Sequence, residues 1–237
     1  MQSDLILEVQ GLRAAYGGTP ILQGADFSVR RGEIIAIIGR NGVGKTTLMK
    51  CLMGLLPQSG GRVVYQNIDI TRLRSNERAR LGIGYIPQGR GLFPRLTVAE
   101  NLTVGELVGK KARTKLYDLV FEFFPILAER MSQQAGTMSG GQQQMLSIGR
   151  ALVGGPNLVL LDEPSEGIQP SIVQQISKNM REISQRLDMT IILVEQNISM
   201  IRSMAQRCYV MNKGRIVEEV AIEKLADPVV VRRHLAV

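Results

Sequence analysis

The stretch IIAIIGRNGVGKTT, residues 34–47, places a glycine-rich loop directly after a short apolar run. Its loop matches the phosphate-loop pattern G-x-x-x-x-G-K-[ST] in full, and it lies between a predicted strand and a predicted helix, as that pattern requires. Glycines let the backbone turn tightly and direct successive N–H groups at a phosphate, while the helix N-terminus adds a partial positive charge. The stretch therefore predicts a nucleotide site in an α/β fold.

Two side chains of this loop have predicted roles in binding ATP and Mg²⁺. Lys45 is expected to reach the β and γ phosphates, and the Thr46 hydroxyl is expected to ligate Mg²⁺. The remaining predicted nucleotide contacts of the loop are Gly39, Asn41, Gly42, Gly44 and Thr47.

Two adjacent acids, Asp162 and Glu163, end a second apolar run at Leu158–Leu161. Ligands bind beyond the carboxyl ends of parallel strands in such sheets, so both acids are expected near the phosphate loop. Asp162 is predicted to hold Mg²⁺ through its water shell, and Glu163 to orient and activate the attacking water. Asp-Glu-Pro also forms ordinary turns, so this prediction of ATP hydrolysis depends on the neighbouring loop.

A second anion site is predicted at Ser139, Gly140, Gly141 and Gln142, which we call the signature segment. Its serine is a good N-cap for a helix expected over Gly141–Val153, and its glycines permit a close approach to unpaired backbone N–H groups. Because one ATP does not require two phosphate cradles in one chain, the segment predicts contact with a nucleotide held by a partner chain.

Short Ile-, Leu- and Val-rich runs alternate with longer amphipathic segments, which predicts an α/β fold with a mostly parallel sheet. Antiparallel strands are predicted at Phe27–Val29 and Arg62–Tyr65, and a hairpin at Cys208–Val220 with its turn at Asn212-Lys213-Gly214. The strands predicted for the mostly parallel sheet are Leu5–Val9, Ile34–Ile38, Ile83–Ile86, Leu158–Leu161 and Ile191–Val194.

Strand patterns vanish between residues 94 and 153, where helical spacing appears at Val98–Val108, Thr114–Phe124 and Gly141–Val153. The strand pattern resumes at Leu158, and no Gly/Ser linker or internal repeat separates the parts. We therefore predict one domain, with an ATPase core at 1–93 and 154–237 and an inserted helical subdomain at 94–153.

The chain has 237 residues, of which 44% are hydrophobic and 21% are charged. This composition fits a protein that folds around a hydrophobic core without disulfide or metal cross-links. Cys51 and Cys208 have no nearby metal-ligand partners, which predicts buried free thiols and a reducing compartment. No apolar run approaches the roughly 20 residues that cross a bilayer. The first eight residues lack a basic segment followed by an apolar stretch, so we expect no signal peptide.

A net charge of +8 and a pI near 9.8 would suit a nucleic acid or an anionic membrane as a neighbour. Basic residues cluster at 72–80 and at 110–115, but aromatic side chains that could stack on bases are not interleaved with them. Solvated faces are the favoured interpretation, and nucleic acid is not an expected partner.

The order of these motifs, with Gln88 following the predicted strand at Ile83–Ile86, resembles the ATP-binding cassette (ABC) proteins over nearly the whole chain. The resemblance implies a phosphate-loop NTPase core with a mixed, mostly parallel sheet, an antiparallel β subdomain and an inserted helical subdomain. It implies that the signature segment of one subunit caps ATP on the phosphate loop of another in a head-to-tail dimer. It also implies that Tyr16 stacks on adenine and that Gln88 contacts Mg²⁺ and the attacking water.

Within that family, the stretch PQGRGLFPRLTVAEN, residues 87–101, resembles importer subunits for branched-chain amino acids. The segments at 166–171 and 39–44 are more similar to ATP subunits for urea and short-chain amides. The resemblance implies an ATPase on the inner face of the cell membrane that couples through residues 89–101 to membrane permease subunits. A second ATPase subunit, identical or different, and a periplasmic or lipid-anchored solute-binding protein complete the implied assembly.

Two positions depart from the family pattern. Gln196 stands where many relatives have a γ-phosphate-contacting His, and the amide can donate a hydrogen bond but cannot carry a proton. The single His of the chain, His234, lies near its end, where we expect an exposed tail. Gln169 stands where an Asp usually communicates across the dimer. Glu195 is not expected to replace the His, because side chains alternate along a strand and Glu195 should point away.

Two other classes of protein share this ATPase core. DNA-maintenance ATPases would suit the basic charge, but they place long coiled coils between the phosphate loop and the signature segment, or carry a second cassette. A regulatory nucleotide-binding module without turnover is supported only by the missing His, while Glu163 is retained.

Overall fold

The computed structural model describes residues 4–108 and 114–235. Part of the second basic cluster, Lys110, Lys111 and Arg113, lies outside the described residues, as do the side chains of Lys115 and His234.

A six-stranded sheet, in the order β10-β9-β3-β8-β7-β6, forms the centre of the molecule. Five neighbouring strands are parallel, and β10 pairs antiparallel with β9 at one edge. Every residue of β3, β7 and β8 is buried, because helices cover both faces of the sheet, and this explains their continuous apolar sequences. The strands are β3 (Ile34–Ile38), β6 (Ile83–Ile86), β7 (Leu158–Asp162), β8 (Thr190–Val194), β9 (Arg207–Asn212) and β10 (Arg215–Ala221).

A four-stranded antiparallel sheet, in the order β2-β1-β4-β5, packs beside the first. Its strands are β1 (Leu5–Tyr16), β2 (Thr19–Arg30), β4 (Gly60–Tyr65) and β5 (Ile68–Asp69). The assignment of Leu5–Val9 to the mostly parallel sheet is therefore wrong. Only the turn at Gly17-Gly18 separates β1 from β2, and so short a connection joins antiparallel strands, whereas parallel strands need a crossover of about a dozen residues.

Helices between β6 and β7 occupy the segment for which helical spacing is predicted. Their bounds are α3 (Val98–Glu106), α4 (Thr114–Phe123), α5 (Pro125–Glu129) and α6 (Gly140–Val153), so the predicted ends are within two residues of the observed ones. The other helices are α1 (Lys45–Met53), α2 (Ser75–Arg80), α7 (Pro170–Leu187), α8 (Ile198–Met204) and α9 (Pro228–Leu235), with short 3₁₀ turns at Ala135–Thr137 and Ile222–Ala226. The division into core and helical subdomain stays a prediction.

The hydrophobic core has two parts, one on each face of the six-stranded sheet. Alternate residues of β3 divide between them: Ile34, Ala36 and Ile38 pack with the helices α3 to α8, whereas Ile35 and Ile37 pack with α1 and the antiparallel sheet. This alternation anchors the strand from both sides and fixes the position of the loop that follows Ile38.

Both cysteines are buried free thiols, as predicted. Burial raises the pKa of the Cys51 thiol to about 11 and that of Cys208 to about 12. Within residues 4–108 and 114–235, no helix is both long enough and apolar enough to span a bilayer.

Arg78, on α2, joins α2 to the end of α1. Its buried guanidinium donates to the carbonyls of Cys51 and Leu52, in the last turn of α1, and to those of Thr71 and Leu73. Helix-terminal carbonyls lack intrahelical partners, so this cation satisfies groups that would otherwise be unpaired.

We predict that Arg78→Met lowers the free energy of unfolding by about 3 kcal/mol, because it leaves these buried carbonyls without a charged donor. Urea denaturation followed by circular dichroism measures the change. Arg80→Met, an exposed position of the same helix, is the control and should change stability by less than about 0.5 kcal/mol. Equal losses in the two variants would contradict this role for Arg78.

Candidate functional site

The phosphate loop connects β3 to α1 at the carboxyl end of the sheet. At Gly39, where φ is 155°, a Cβ atom would lie 2.4 Å from the carbonyl oxygen of Met211. Gly44 is the N-cap of α1 with φ of 109°, a left-handed conformation that glycine adopts without strain. The loop therefore has backbone N–H groups at an open helix N-terminus, which is the arrangement that binds phosphate.

The Lys45 side chain folds back across this loop. Its Nζ donates to the carbonyls of Gly39 at 2.9 Å and Arg40 at 3.1 Å, and it lies 3.7 Å from Glu163 Oε1. Burial lowers the pKa of Lys45, while the nearby carboxylates of Glu163 and Asp162 oppose that shift. The ammonium has three donors, so one remains for a phosphate oxygen.

Asp162, the last residue of β7, is held through both carboxylate oxygens. Thr46 Oγ1 donates to Oδ1 and the Tyr85 hydroxyl donates to Oδ2, each at 3.2 Å. Burial raises the pKa of Asp162 to about 6, although these two hydrogen bonds act in the opposite direction. Burial and the adjacent Asp162 raise the pKa of Tyr85, so its phenol keeps its proton.

Glu163 points into the site from a left-handed backbone conformation with φ of 47°. Non-glycine residues rarely adopt this conformation, and such strain is concentrated at functional sites. Oε2 accepts a hydrogen bond from Gln88 Nε2 at 3.3 Å, and Oε1 accepts one from Gln196 Nε2 at 2.9 Å. The carboxylate therefore has two amide donors and the Lys45 ammonium around it.

Gln196, in the loop after β8, is hydrogen-bonded both to the phosphate loop and to Glu163. Its Nε2 donates to Asn41 Oδ1 at 2.7 Å as well as to Glu163. One neutral amide thus uses both of its hydrogens, one toward the phosphate loop and one toward the carboxylate.

Glu195 precedes Gln196 in the loop after β8, and its carboxylate accepts hydrogen bonds from backbone groups. It is only 3% exposed, and its Oε1 accepts from the backbone N–H groups of Gln196 and Asn197. Its Oε2 accepts from the N–H of Ser165, in the loop after Glu163. Glu195 therefore holds two loops together and is not placed to replace Glu163.

The structure brings most of the predicted site residues together. A cleft of about 340 Å³ is lined by Ile21, Asn41, Gly42, Gly44, Lys45, Thr46, Thr47, Gln88 and Glu163. Asp162 and Gln196 join it through the hydrogen bonds described above. Tyr16, which ends β1 and is 44% exposed, and the signature segment lie outside this cleft.

The signature segment caps α6 as predicted from its sequence. Ser139 Oγ accepts from the N–H of Gln142, and Gln142 Oε1 accepts from the N–H of Ser139, which forms a capping box. The helix begins at Gly140, one residue before the predicted start. None of the four residues of the signature segment lines the chain's own phosphate-loop cleft.

Two residues near the site were not predicted from the sequence. Tyr85 was missed because a Tyr in a short strand gives no sign of the carboxylate that it faces. Arg90 donates to Gln143 Oε1 at 3.0 Å, and its carbonyl accepts from Ser147 Oγ at 2.6 Å. The glycines around Arg90 were the available signal, since residues 89, 90 and 91 all have positive φ.

The donors around Thr46 fit Mg²⁺. A hydroxyl and a carboxylate oxygen lie 3.2 Å apart beside the phosphate cradle, and this hard cation is bound through few carboxylates together with substrate phosphates. In the part of the chain that the structure describes, no group of three or more His, Cys, Asp or Glu side chains could hold a metal alone. A metal here would depend on the nucleotide.

A phosphate loop, a strand-terminal acid pair and a capped signature helix on this sheet define an ATP-binding cassette ATPase. The ABC transporter family model matches residues 22–166, and the chain belongs to that family as an ATP-hydrolysing subunit. It is 44% identical over 203 residues to the high-affinity branched-chain amino acid transport ATP-binding protein BraG of Pseudomonas aeruginosa, covering 85% of this chain and 87% of the relative. A probable branched-chain amino acid transport ATP-binding protein, LivF of Archaeoglobus fulgidus, is 35% identical over 212 residues, 89% of this chain and 90% of the relative.

Solved structures show the same fold. A nucleotide-free ATP-binding cassette from an ABC transporter superposes with a TM-score of 0.83 at 29% identity, covering 96% of this chain and 97% of the other. A cassette in its ADP conformation gives a TM-score of 0.82 at 29% identity over the same shares of the two chains.

We predict that Glu195→Gln lowers the free energy of unfolding by about 2 kcal/mol, because an amide NH₂ would then face a buried backbone N–H. Chemical denaturation measures this change. Glu163→Gln, at the neighbouring acid in the cleft, should cost less than about 1 kcal/mol, since its carboxylate accepts only from side chains that can rotate. A stable Glu195→Gln variant would show that the two loops do not depend on this carboxylate.

Proposed function

We propose that this chain is the ATPase subunit of an importer for branched-chain amino acids, with urea and short-chain amides as alternative solutes. The observation that carries the proposal is the Glu163 carboxylate, held by Gln88 and Gln196 within 3.7 Å of the Lys45 ammonium. In this arrangement Glu163 would act as the base beside Lys45, the cation expected to bind the γ-phosphate. The names of the BraG and LivF relatives support the solute class.

The chain's own groups would bind and neutralise the triphosphate. The N–H groups of the loop and the N-terminus of α1 receive the phosphates, and Lys45 turns its free donor toward the β and γ positions. Thr46, Asp162 and Gln88 would hold Mg²⁺. When bound, that cation would neutralise part of the phosphate charge.

Glu163 would orient the attacking water and accept its proton. Gln88 and Gln196 hold one carboxylate oxygen each, so the rotamer of Glu163 is set before the nucleotide arrives. Positioning of this kind is the main contribution of proteins to phosphoryl transfer. Gln196 is neutral and cannot accept a proton from water. General-base catalysis for the ATP on this chain's phosphate loop is therefore assigned to Glu163.

The site would be completed by a second ATPase subunit. The signature segment lies outside the cleft that contains Lys45, so its open N–H groups and Ser139 are assigned to the γ-phosphate of a partner's nucleotide. Tyr16, exposed at the end of β1, is assigned to the adenine ring. A homodimer and a heterodimer both satisfy this geometry.

A membrane permease subunit would dock in an apolar groove between the end of α1, α2, β6 and the end of α3. The groove has a volume of about 420 Å³, and its apolar lining includes Met53, Leu55, Ala79, Tyr85, Phe93 and Val108. Phe93 is 47% exposed, and the Arg150 guanidinium lies 5.5 Å from its ring centre. Exposed apolar side chains that share one groove indicate a binding surface. The subunit would then sit on the inner face of the cell membrane and reach a periplasmic or lipid-anchored solute-binding protein only through the permease.

We predict that Glu163→Gln lowers kcat for ATP hydrolysis at least about 100-fold, because the amide cannot accept the proton of the attacking water. Phosphate release measures turnover, and a fluorescent ATP analogue should bind with unchanged affinity. Glu182→Gln, an exposed acid on α7, is the control and should retain full turnover. Undiminished hydrolysis in Glu163→Gln would remove Glu163 from the role of base.

We predict that Phe93→Glu weakens association with the permease subunits at least about tenfold, because it places a charge in an apolar groove. Co-purification from membranes that express the complete transporter measures association, while ATP affinity of the isolated subunit should not change. Val229→Glu, an exposed apolar position on α9, is the matched control. Normal assembly of the Phe93 variant would place the docking surface elsewhere.

A further inference from the structure

Tyr85 lies between two functional surfaces of the molecule. Its hydroxyl donates to Asp162 Oδ2, and its side chain also lines the apolar groove described above. No sequence motif marks this residue, and the roles proposed so far do not use its hydroxyl.

The geometry of two adjacent strands brings Tyr85 to Asp162. Strand β6 pairs with β7 in parallel register, with Tyr85 opposite Leu160 and Ile86 opposite Leu161. The phenol therefore extends along the sheet toward the carboxyl end of β7, where Asp162 begins the loop. A residue with a shorter polar side chain at this position would not cover that distance.

The Tyr85 bond fixes the oxygen of Asp162 that Thr46 leaves free. Thr46 Oγ1 donates to Oδ1, so without Tyr85 the carboxylate could rotate about this single anchor. Thr46 is itself assigned to the metal, whereas Tyr85 is not. Groups that hold a metal-binding side chain from behind set its orientation, and their loss typically weakens metal binding by about 10–100-fold.

We propose that Tyr85 is a positioning residue that orients Asp162 for the metal ion of the bound nucleotide, while its ring forms part of the wall of the docking groove. This inference rests on the proposed metal site. It assigns to Tyr85 no contact with the nucleotide or with the reacting water.

Tyr85→Phe tests the assignment, because it removes the hydroxyl and keeps the ring. The groove wall and the packing of β6 are therefore retained, and a melting temperature close to that of the wild type verifies folding. Tyr65→Phe is the matched control: it also removes one phenolic hydroxyl, which donates to the carbonyl of Gly82 in the core, away from the cleft.

The probe is Mn²⁺ in the presence of a non-hydrolysable ATP analogue, with free Mn²⁺ measured by electron paramagnetic resonance. We expect the dissociation constant for Mn²⁺ to rise about tenfold in Tyr85→Phe and to stay unchanged in Tyr65→Phe. Affinity for the same analogue in EDTA should be equal in all three proteins, because the hydroxyl does not touch the phosphate cradle.

Three results would overturn the inference, and they differ from one another. Unchanged Mn²⁺ affinity in Tyr85→Phe would show that Thr46 alone orients Asp162, with the metal site itself intact. An equal loss of analogue affinity in EDTA would show that the hydroxyl shapes the phosphate loop instead. If the wild type binds the analogue with no dependence on Mn²⁺, the proposed metal site fails and the role of Tyr85 fails with it.

Discussion

The parallel register of three adjacent strands is the constraint on which the site depends. Val194 of β8 lies level with Ile37 of β3 on one side and with Asp162 of β7 on the other. The three loops that follow these residues must therefore start at the same edge of the sheet. Because every residue of these strands is buried between two layers, a slip by one residue would exchange the side chains that pack in the two parts of the core, and close packing on both faces opposes it. Catalytic geometry thus follows from packing that is remote from the nucleotide.

The parts of the structure that could be predicted from the sequence are those in which local pattern and chemistry coincide. Strands were predicted correctly at Ile34–Ile38 and Leu158–Leu161, because a parallel strand that is covered on both faces is apolar throughout. The capped start of α6 followed from Ser139 and the glycines after it. The strand at Leu5–Val9 was assigned to the wrong sheet, because an apolar run predicts a strand but not the strand with which it pairs. Tyr85 and Arg90 were missed because their partners, on β7 and α6, lie far away in the chain.

The two neighbouring acids Glu195 and Glu163 show why residue type alone does not assign a base. Glu195 is buried, and its carboxylate oxygens accept hydrogen bonds from three backbone N–H groups. These bonds hold two loops together. Glu163 is held by the side chains of Gln88, Gln196 and Lys45, which can move when a phosphate or water arrives. Gln196 completes this contrast. Its neutral amide donates to Glu163 without bringing a second positive charge next to Lys45.

Residues 89–91 connect the apolar groove to the signature segment through one face of α6. The carbonyl of Arg90 accepts from Ser147 and the carbonyl of Gly91 accepts from Arg150, while the Arg90 guanidinium donates to Gln143. Positions 143, 147 and 150 recur at helical spacing, so the three bonds lie along a single stripe of α6. These bonds attach the segment after Gln88 to α6, and α6 begins at the signature segment. Gln88, at the other end of the same short segment, donates to Glu163. Residues 88–91 are therefore hydrogen-bonded both to the chain's own carboxylate and to the helix that begins at the signature segment.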